Sequence, residues 1–333
     1  MSYIYYIFKV LLLTAGIYFL WISSANSQTC CSGGVPLSGN IGFKGADRGA
    51  FQIELSYDLN YLITLKDGSD VYTNENRRRV TQSVLLKAGY SITKWMALDA
   101  MFSYVNQSRR ITYMEAVNDV STNGIGDAVL ITKFILSRFS ETGTEMQLGA
   151  GPKIPFGRSD MTNDRGITLN ADLQPGSGSW DIITWGYFIR QTNFRPSTTI
   201  SARIVGRMNG SNREYLGNQI YRFGNSIQLY LGMGDRFLAG GRILSTSLSV
   251  RFRKAQSDMI NGILLDNTGG QWMSIIPSIG WSFGQNSLIQ LIPEIPIVSR
   301  VEGIQLTPTF RIQAGIYHNF GRKNKSESNT YQL

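Results

Sequence analysis

Side chains that carry out covalent chemistry are scarce in this 333-residue sequence, which contains one histidine and two cysteines. His318 falls on the apolar face of a predicted strand. As a catalytic base it would need a nucleophile, such as Ser282 or Ser287, and an acid to orient it. No acidic partner or catalytic motif accompanies these residues. One histidine and the adjacent cysteines Cys30 and Cys31 also make a poor metal site. The sequence therefore predicts no enzyme, no cofactor and no bound metal.

Charged side chains recur at alternating positions of apolar segments, a spacing that suits binding rather than catalysis. If the apolar positions face lipid, the opposite face carries the charges into a lumen. Unpaired charge in a narrow lumen is costly, so ion pairs or water must satisfy it. The candidate lumen-lining residues are Glu54, Asp58, Lys87, Asp99, Lys133, Lys153, Arg203, Arg207, Arg222, Glu294 and Arg311.

Hairpin geometry predicts which of these charges meet. The expected neighbours are Lys87 with Asp99, Arg207 with Arg222, and Glu294 with Arg311. Two interpretations stay open. In one, the pairs hold a closed barrel together. In the other, they line a water-filled channel whose basic wall, near Arg203, Arg207 and Arg222, attracts anions.

Alternation of apolar and polar residues identifies the strands that must position these charges. Ala50–Tyr61 alternates throughout, with Phe51, Ile53 and Leu55 on one face and Glu54 on the other. This is the length of a tilted membrane strand, about 9–11 residues. Weaker segments of the same kind are Val80–Ile92, Trp95–Val105, Gly126–Ser137, Thr144–Ile154, Trp180–Ile189, Thr198–Met208, Tyr221–Met233, Leu238–Phe252, Gln271–Phe283, Leu288–Val298 and Gln305–Phe320.

The connections between these segments alternate in length, as they do in outer-membrane barrels. Long polar ones cover 66–79, 106–123, 157–177, 209–219 and 254–270, and short ones cover 93–94, 138–143, 191–196, 234–237 and 284–286. The eleventh connection, 299–304, is the exception because it should be long. The predicted fold is all-β: an antiparallel transmembrane β-barrel of about 12 strands with short periplasmic turns and long outer loops.

The two ends of the chain differ from the barrel region. An apolar run, Val10–Ile22, is followed by small residues at Ala25 and Ser27, which predicts a signal peptide over 1–27. The alternative is an uncleaved membrane anchor. Residues 28–48 are expected to form a leader or partial plug, 49–320 the transmembrane barrel, and 321–333 a polar tail. Export without a later transmembrane helix leaves the periplasm, the exterior or the outer membrane, and the predicted barrel selects the cell outer membrane.

The mature chain is basic, because removal of Lys9 leaves 31 Lys and Arg against 23 Asp and Glu. Many cations lie in predicted loops, among them Arg77, Arg78, Arg79, Arg109 and Arg110. Such clusters can bind nucleic acid. Loops that face anionic outer-membrane lipid are the favoured interpretation, and no nucleic-acid partner is expected.

Several motifs together resemble a known family. They are GIGD at 124–127, LGAGPKIPFG at 148–157 and LQPGSGSWD at 173–181, with YSITKW at 90–95 and YRFG at 221–224. In order and spacing, from Gly33 to Phe320, the chain resembles the outer-membrane proteins named for the MetA pathway of phenol degradation. The resemblance implies a barrel that takes up small solutes, including hydrophobic or aromatic ones.

The last predicted strand ends on Phe320, which is similar to the terminal signal read by the outer-membrane assembly machinery. The sequence therefore predicts a channel or uptake barrel for a small solute that it does not identify. The alternative is a structural or adhesive barrel with a filled lumen and no transport.

Overall fold

A computed structural model describes residues 43, 47–72, 77–113, 116–139, 142–284 and 286–321. Its strands are β1 Phe51–Leu62, β2 Thr64–Asp67, β3 Asp70–Val71, β4 Arg77–Ser91, β5 Met96–Tyr113, β6 Ala116–Ile125, β7 Ala128–Phe139, β8 Thr144–Ile154, β9 Asp181–Gln191, β10 Thr199–Asn209, β11 Asn212–Tyr215, β12 Gln219–Arg222, β13 Ser226–Ala239, β14 Arg242–Ala255, β15 Met259–Ile260, β16 Ile263–Leu264, β17 Gly270–Phe283, β18 Ser287–Val301, β19 Ile304–Thr307 and β20 Phe310–Phe320. One 3-10 turn covers Ala171–Leu173. The described part of the chain holds no helix long and apolar enough to cross a bilayer.

Antiparallel strands close a ring within the described residues. Around the wall the order is β1, β4, β5, β6 with β7, β8, β9, β10, β13, β14, β17, β18 and β20. The ring closes where β20 pairs with β1 from Phe51↔Phe320 to Tyr61↔Phe310. Strands β6 and β7 both pair with β5 and act as one wall strand interrupted at Gly126 and Asp127. The wall therefore has twelve strands, which confirms the predicted fold class.

Apolar side chains cover the outside of the wall and polar side chains point inward. On β1, Leu55 is 50% exposed whereas Ser56 is 2% exposed. The interior is less uniformly charged than the sequence predicted, because an apolar cluster lies inside the ring. This cluster includes Leu85, Ile183 and Trp185. Strands β7 and β9 carry apolar residues on both faces, so alternation marked Lys133 as an inward residue but not Ile131, Ile183 or Trp185.

Short turns lie at the end of the barrel that holds Phe51 and Phe320, here called the turn end, and long connections lie at the opposite loop end. One predicted turn was misplaced. Strands β13 and β14 meet at Gly240 and Gly241, not at 234–237, and Ala239 pairs with Arg242. Both glycines have positive φ, 57° and 73°. A two-residue hairpin turn of this kind favours glycine for that reason.

Two small sheets extend the loop end. Strands β19, β2 and β3 form one, and β11, β12, β15 and β16 form the other. Hence two predicted wall strands were too long: β13 begins at Ser226 rather than Tyr221, and the last wall strand begins at Phe310 rather than Gln305. With β19 counted in the connection, the eleventh connection is no longer short. The predicted loop 106–123 is largely paired strand, since Asn106 pairs with Asn123.

The expected signal peptide, both cysteines, most of the leader and nearly all of the polar tail lie outside the described residues. Phe43 is the described residue of the leader that lies deepest in the barrel, and its side chain is buried.

Candidate functional site

Two ion pairs line the lumen towards the turn end. Lys87 Nζ lies 2.6 Å from Glu54 Oε1, and Lys133 Nζ lies 2.7 Å from Asp99 Oδ2. Lys87 and Asp99 were predicted to lie nearly opposite each other; they are offset by two residues in the register of β4 and β5, and each has its ion-pair partner on another strand. Asp99 lies opposite Gly89 on β4, whereas Lys87 lies opposite Glu54 on β1.

The Asp99–Lys133 pair also holds the leader. The backbone N–H of Phe43 donates to Asp99 Oδ2 at 2.9 Å, and Lys133 Nζ donates to the Phe43 carbonyl at 2.7 Å. The Phe43 ring lies 5.6 Å from the ring of Tyr317. A side chain on Gly89 would overlap the Phe43 ring, at 2.5 Å from its Cδ2 atom. The wall is therefore shaped and charged to fit this one leader residue.

A second layer of charge lies about halfway along the wall. Arg311 binds Asp58 at 2.7 Å, and Arg251 forms an ion pair with Glu294. Glu294 lies opposite Arg311 in the register of β18 and β20, as predicted, although its ion-pair partner is Arg251.

The third layer is a fully buried cluster near the loop end. Lys153 Nζ lies 2.6 Å from Asp127 and 3.0 Å from Asp181, and Arg207 binds Asp181 at 2.7 Å. Ser177 donates its N–H and its hydroxyl to Asp127 at 3.0 and 2.7 Å. Because isolated buried charges are costly, this mutual pairing is what allows four charged groups to stay inside the barrel.

The predicted juxtaposition of Arg207 and Arg222 is wrong. Arg207 lies opposite Ser226 on β13. Arg222 belongs to β12 in the loop-end sheet, where it is exposed and its guanidinium approaches Met259 Sδ at 3.0 Å. Arg203 does face inward, and its guanidinium lies 5.1 Å over the Tyr230 ring.

Three of the motifs behind the family resemblance meet at this buried cluster. Asp127 ends the first motif, Lys153 lies in the second, and Ser177 and Asp181 lie in the third. They hold the connection between β8 and β9, residues 155–180, here called the inner loop. Its two arms touch where a side chain on Gly157 would come within 2.5 Å of Gly176 Cα.

Strands β4, β5 and β6, on the neighbouring part of the wall, hold the tip of the inner loop. Arg79 binds Asp172 at 2.6 Å, and Thr122 donates its hydroxyl to the Leu173 carbonyl at 2.5 Å. Gln107 donates to the Gln174 carbonyl at 3.3 Å. Leu173 and Gln174 are each 1% exposed. The inner loop therefore lies inside the ring near the loop end and is fixed both at its base and at its tip.

A cavity of about 440 Å³ lies below the inner loop, towards the turn end. Its lining combines aromatic rings, among them Trp185 and Tyr187, with the cations Arg203 and Arg236 and with Ser, Asn and Gln side chains. A neighbouring cavity of about 270 Å³ shares Arg236 in its lining. Mixed aromatic and polar walls of this size suit a small organic solute.

His318 lies at the turn end, away from these layers. Its Nδ1 is 2.7 Å from Ser287 Oγ, and the Phe320 ring packs against it at 4.2 Å. Ser287 and His318 are opposite residues of adjacent strands, so a cross-strand hydrogen bond accounts for the contact. The absence of enzymatic activity stays a prediction.

Sequence reasoning missed Asp127, Asp181, Asp172 and Arg251, all of which take part in buried or partly buried ion pairs. It also assigned Arg79 to a lipid-facing loop, whereas Arg79 lies on β4 and its side chain is buried inside the barrel. A signal was available for two of the missed residues. Asp127 and Asp181 are acids at the starts of apolar strands, inside motifs that were used only for the family resemblance.

Comparison with known proteins rests on structure. No family model matches the chain, and no curated protein matches it by sequence. The COG4313 outer-membrane channel from Pseudomonas putida F1 is similar, with a TM-score of 0.64, 14% identity, and coverage of 83% of this chain and 97% of that one. The β-domain of the Bordetella autotransporter BrkA covers 82% of this chain at 12% identity and a TM-score of 0.45. The chain thus shares its fold with an outer-membrane channel.

Proposed function

We propose that this protein is an outer-membrane channel for small solutes. The observation that carries the proposal is the pair of cavities below the inner loop, which reach from the turn end to Arg203 and Trp185. A purely structural barrel does not require open space in the half of its lumen nearest the turn end. The channel fold shared with the Pseudomonas putida protein supports the same assignment.

The resemblance to the MetA-pathway family favours hydrophobic or aromatic solutes. The cavity lining agrees with that class, because Trp185 and Tyr187 stack at 5.8 Å and offer ring faces to an aromatic guest. Arg203 and Arg236 add positive charge, which favours entry of anions.

The inner loop is the barrier to flow in this proposal. Its tip is held by Arg79, whose ion pair with Asp172 is only partly buried on the aspartate side, 30% exposed. Its base is held by the fully buried Lys153 cluster. The tip is therefore the part that can move aside at the smaller cost in free energy.

Conductance across a planar bilayer tests the proposal. Wild-type protein should give small single-channel currents, and Arg79→Gln should enlarge them or lengthen the open periods because it releases Asp172. The matched control is Arg158→Gln in the same loop, since the Arg158–Asp160 pair is exposed. No current from wild type or from Arg79→Gln would contradict the channel assignment.

A structural or adhesive barrel is the second candidate. The buried Lys153 cluster and the apolar cluster around Trp185 favour it, since the first fills the lumen near the loop end and the second fills part of its middle. An absence of current together with an intact barrel would select this candidate.

We also propose a periplasmic turn end and assembly through Phe320, which is 55% exposed and packs against Phe51 at 5.8 Å. A signal peptide over 1–27 would deliver the chain. Membrane fractionation with heat-modifiable gel mobility tests this. The folded form should appear in the outer-membrane fraction, and Phe320→Ala should reduce it while Phe139→Ala at another exposed strand end should not.

The leader is proposed to act as a partial plug at the turn end, since Phe43 is clamped by Asp99 and Lys133 and also lines the larger cavity. Deleting residues 28–46 after the signal peptide should raise conductance without loss of assembly. Unchanged conductance would show that the leader does not obstruct the lumen.

A further inference from the structure

Strands β4, β5 and β6 extend beyond the neighbouring wall strands at the loop end. They stay hydrogen-bonded to one another there and form a three-stranded extension, here called the arm. Register aligns their outward residues in transverse rows. One row is Val84, Tyr104 and Ile125, and the next outward row towards the loop end is Gln82, Asn106 and Asn123. All six are exposed on the outer face.

The two rows lie where an apolar surface changes to a hydrogen-bonding one. Tyr104 donates its hydroxyl to Asn123 Oδ1 at 3.4 Å, and Tyr57 on β1 donates to Gln82 Oε1 at 2.8 Å. Tyrosines with apolar bodies and polar tips mark the boundary of the hydrocarbon layer in membrane barrels. The amides therefore lie just beyond that boundary.

Arginines follow further along the same face. Arg78 lies opposite Arg110, and Arg110 lies opposite Asp119. Arg110 binds Asp119 through two hydrogen bonds of 2.6 and 2.5 Å, which leaves the row with a net positive charge. Like charges that are directly opposite destabilise a sheet, and Asp119 offsets one of the two arginine charges, so a bound anion would offset the other. Tyr104 and Arg110 are six residues apart, roughly 20 Å along the strand.

We propose that the outer face of this arm binds lipopolysaccharide. Acyl chains would pack on the Val84 row, sugar hydroxyls would bond to the amide row, and sugar phosphates would bind Arg78 and Arg110. The order of apolar, amide and cationic rows matches the order of chemical groups along such a glycolipid. Arginine suits phosphate because its planar fork donates two parallel hydrogen bonds. The inference rests on the proposed outer-membrane location.

The test uses full-length mature barrel, purified in detergent and freed of endogenous lipid. The probe is rough-type lipopolysaccharide, and binding is measured by native mass spectrometry and by titration. The variant is Arg78→Gln with Arg110→Gln. The matched control is Arg77→Gln with Arg109→Gln, because these residues are adjacent on the same strands and alternate to the opposite face.

The outer-face variant should bind lipopolysaccharide about tenfold more weakly, since each arginine near an anionic membrane surface should strengthen binding by about threefold. The control should stay within about twofold of wild type. Binding should also weaken with salt, because screening acts on exposed charge. If the double variant fails to fold, Arg78→Gln alone keeps the Arg110–Asp119 pair and should lose about threefold.

Equal affinity for dephosphorylated lipopolysaccharide, or an equal loss in the control variant, would overturn the proposal. So would equally strong binding of a DNA oligonucleotide, which would indicate unspecific attraction of polyanions. A protein absent from the outer-membrane fraction would contradict the location. A protein present there that binds no lipopolysaccharide would contradict the lipid site alone.

Discussion

Replacing Lys153 with Met should be among the most damaging single changes in the lumen. The ammonium lies 2.6 Å from Asp127 and 3.0 Å from Asp181, and all three side chains are fully buried. Breaking a buried pair by removing one partner costs about 3–5 kcal/mol, because the other charge stays buried. Asp181 keeps Arg207, whereas Asp127 loses its cation.

The lower half of that range is expected for this site. Asp127 keeps two hydrogen bonds from Ser177 and one, at 3.2 Å, from the Gly157 N–H. A loss of about 3 kcal/mol corresponds to a factor of roughly 100 in the folding equilibrium. Urea unfolding in detergent, followed by tryptophan fluorescence and by heat-modifiable mobility, measures the loss.

The double variant Lys153→Met with Asp127→Asn is the internal control. It removes the orphaned charge together with its partner, so it should recover at least half of the lost free energy. Additive losses in the double variant would refute the argument from burial. So would a loss below about 1 kcal/mol in Lys153→Met, which would place the cluster in contact with water.

Three further predictions concern other parts of the molecule. Leu55→Arg should cost about 2–4 kcal/mol of unfolding free energy if it lies near the bilayer midplane, whereas Ser108→Arg on the outer face of the arm should cost little; equal losses would refute the assigned membrane depth. Burial and the neighbouring Asp258 raise the pKa of Tyr221, whose hydroxyl donates to that carboxylate at 2.5 Å. The loop-end sheet should therefore resist proteolysis below about pH 10 and lose stability above it. The variant Tyr221→Phe should lack this alkaline loss. Arg203→Gln should lower the preference for anions, seen as a shift in reversal potential at unequal salt; an unaltered potential would remove Arg203 from selectivity.

The wall could be predicted from the sequence because period-two alternation is a local property. Leu55 and Ser56 fall on the expected faces. Pairing could not be predicted in the same way, because each strand has two neighbours and hairpin reasoning considers only one. Lys87 was assigned to the following strand, whereas its partner Glu54 lies on the preceding one.

Loop structure was also beyond the local pattern. Arg222 alternates as a wall residue would, yet it belongs to a sheet that two connections build together at the loop end. Its position depends on the pairing of β12 with β15, in which Arg222 lies opposite Met259, 37 residues further along the chain. A local pattern cannot show such a contact. The turn at Gly240 and Gly241 was missed although its residue types are diagnostic, because the turn was assigned to 234–237 and the next strand to the segment beginning at Leu238.

The inner loop explains why so many charges are buried in this lumen. A connection that folds into a barrel brings backbone groups away from water, and each of them needs a hydrogen-bond partner. The wall supplies those partners through Thr122 and Gln107, and through Lys153, which donates to the Ser179 carbonyl at 2.9 Å. Charges used in this way cannot also select solutes, since their fields are neutralised at short range. We expect selectivity to depend instead on charges that line the larger cavity, among them Arg203 and Arg236.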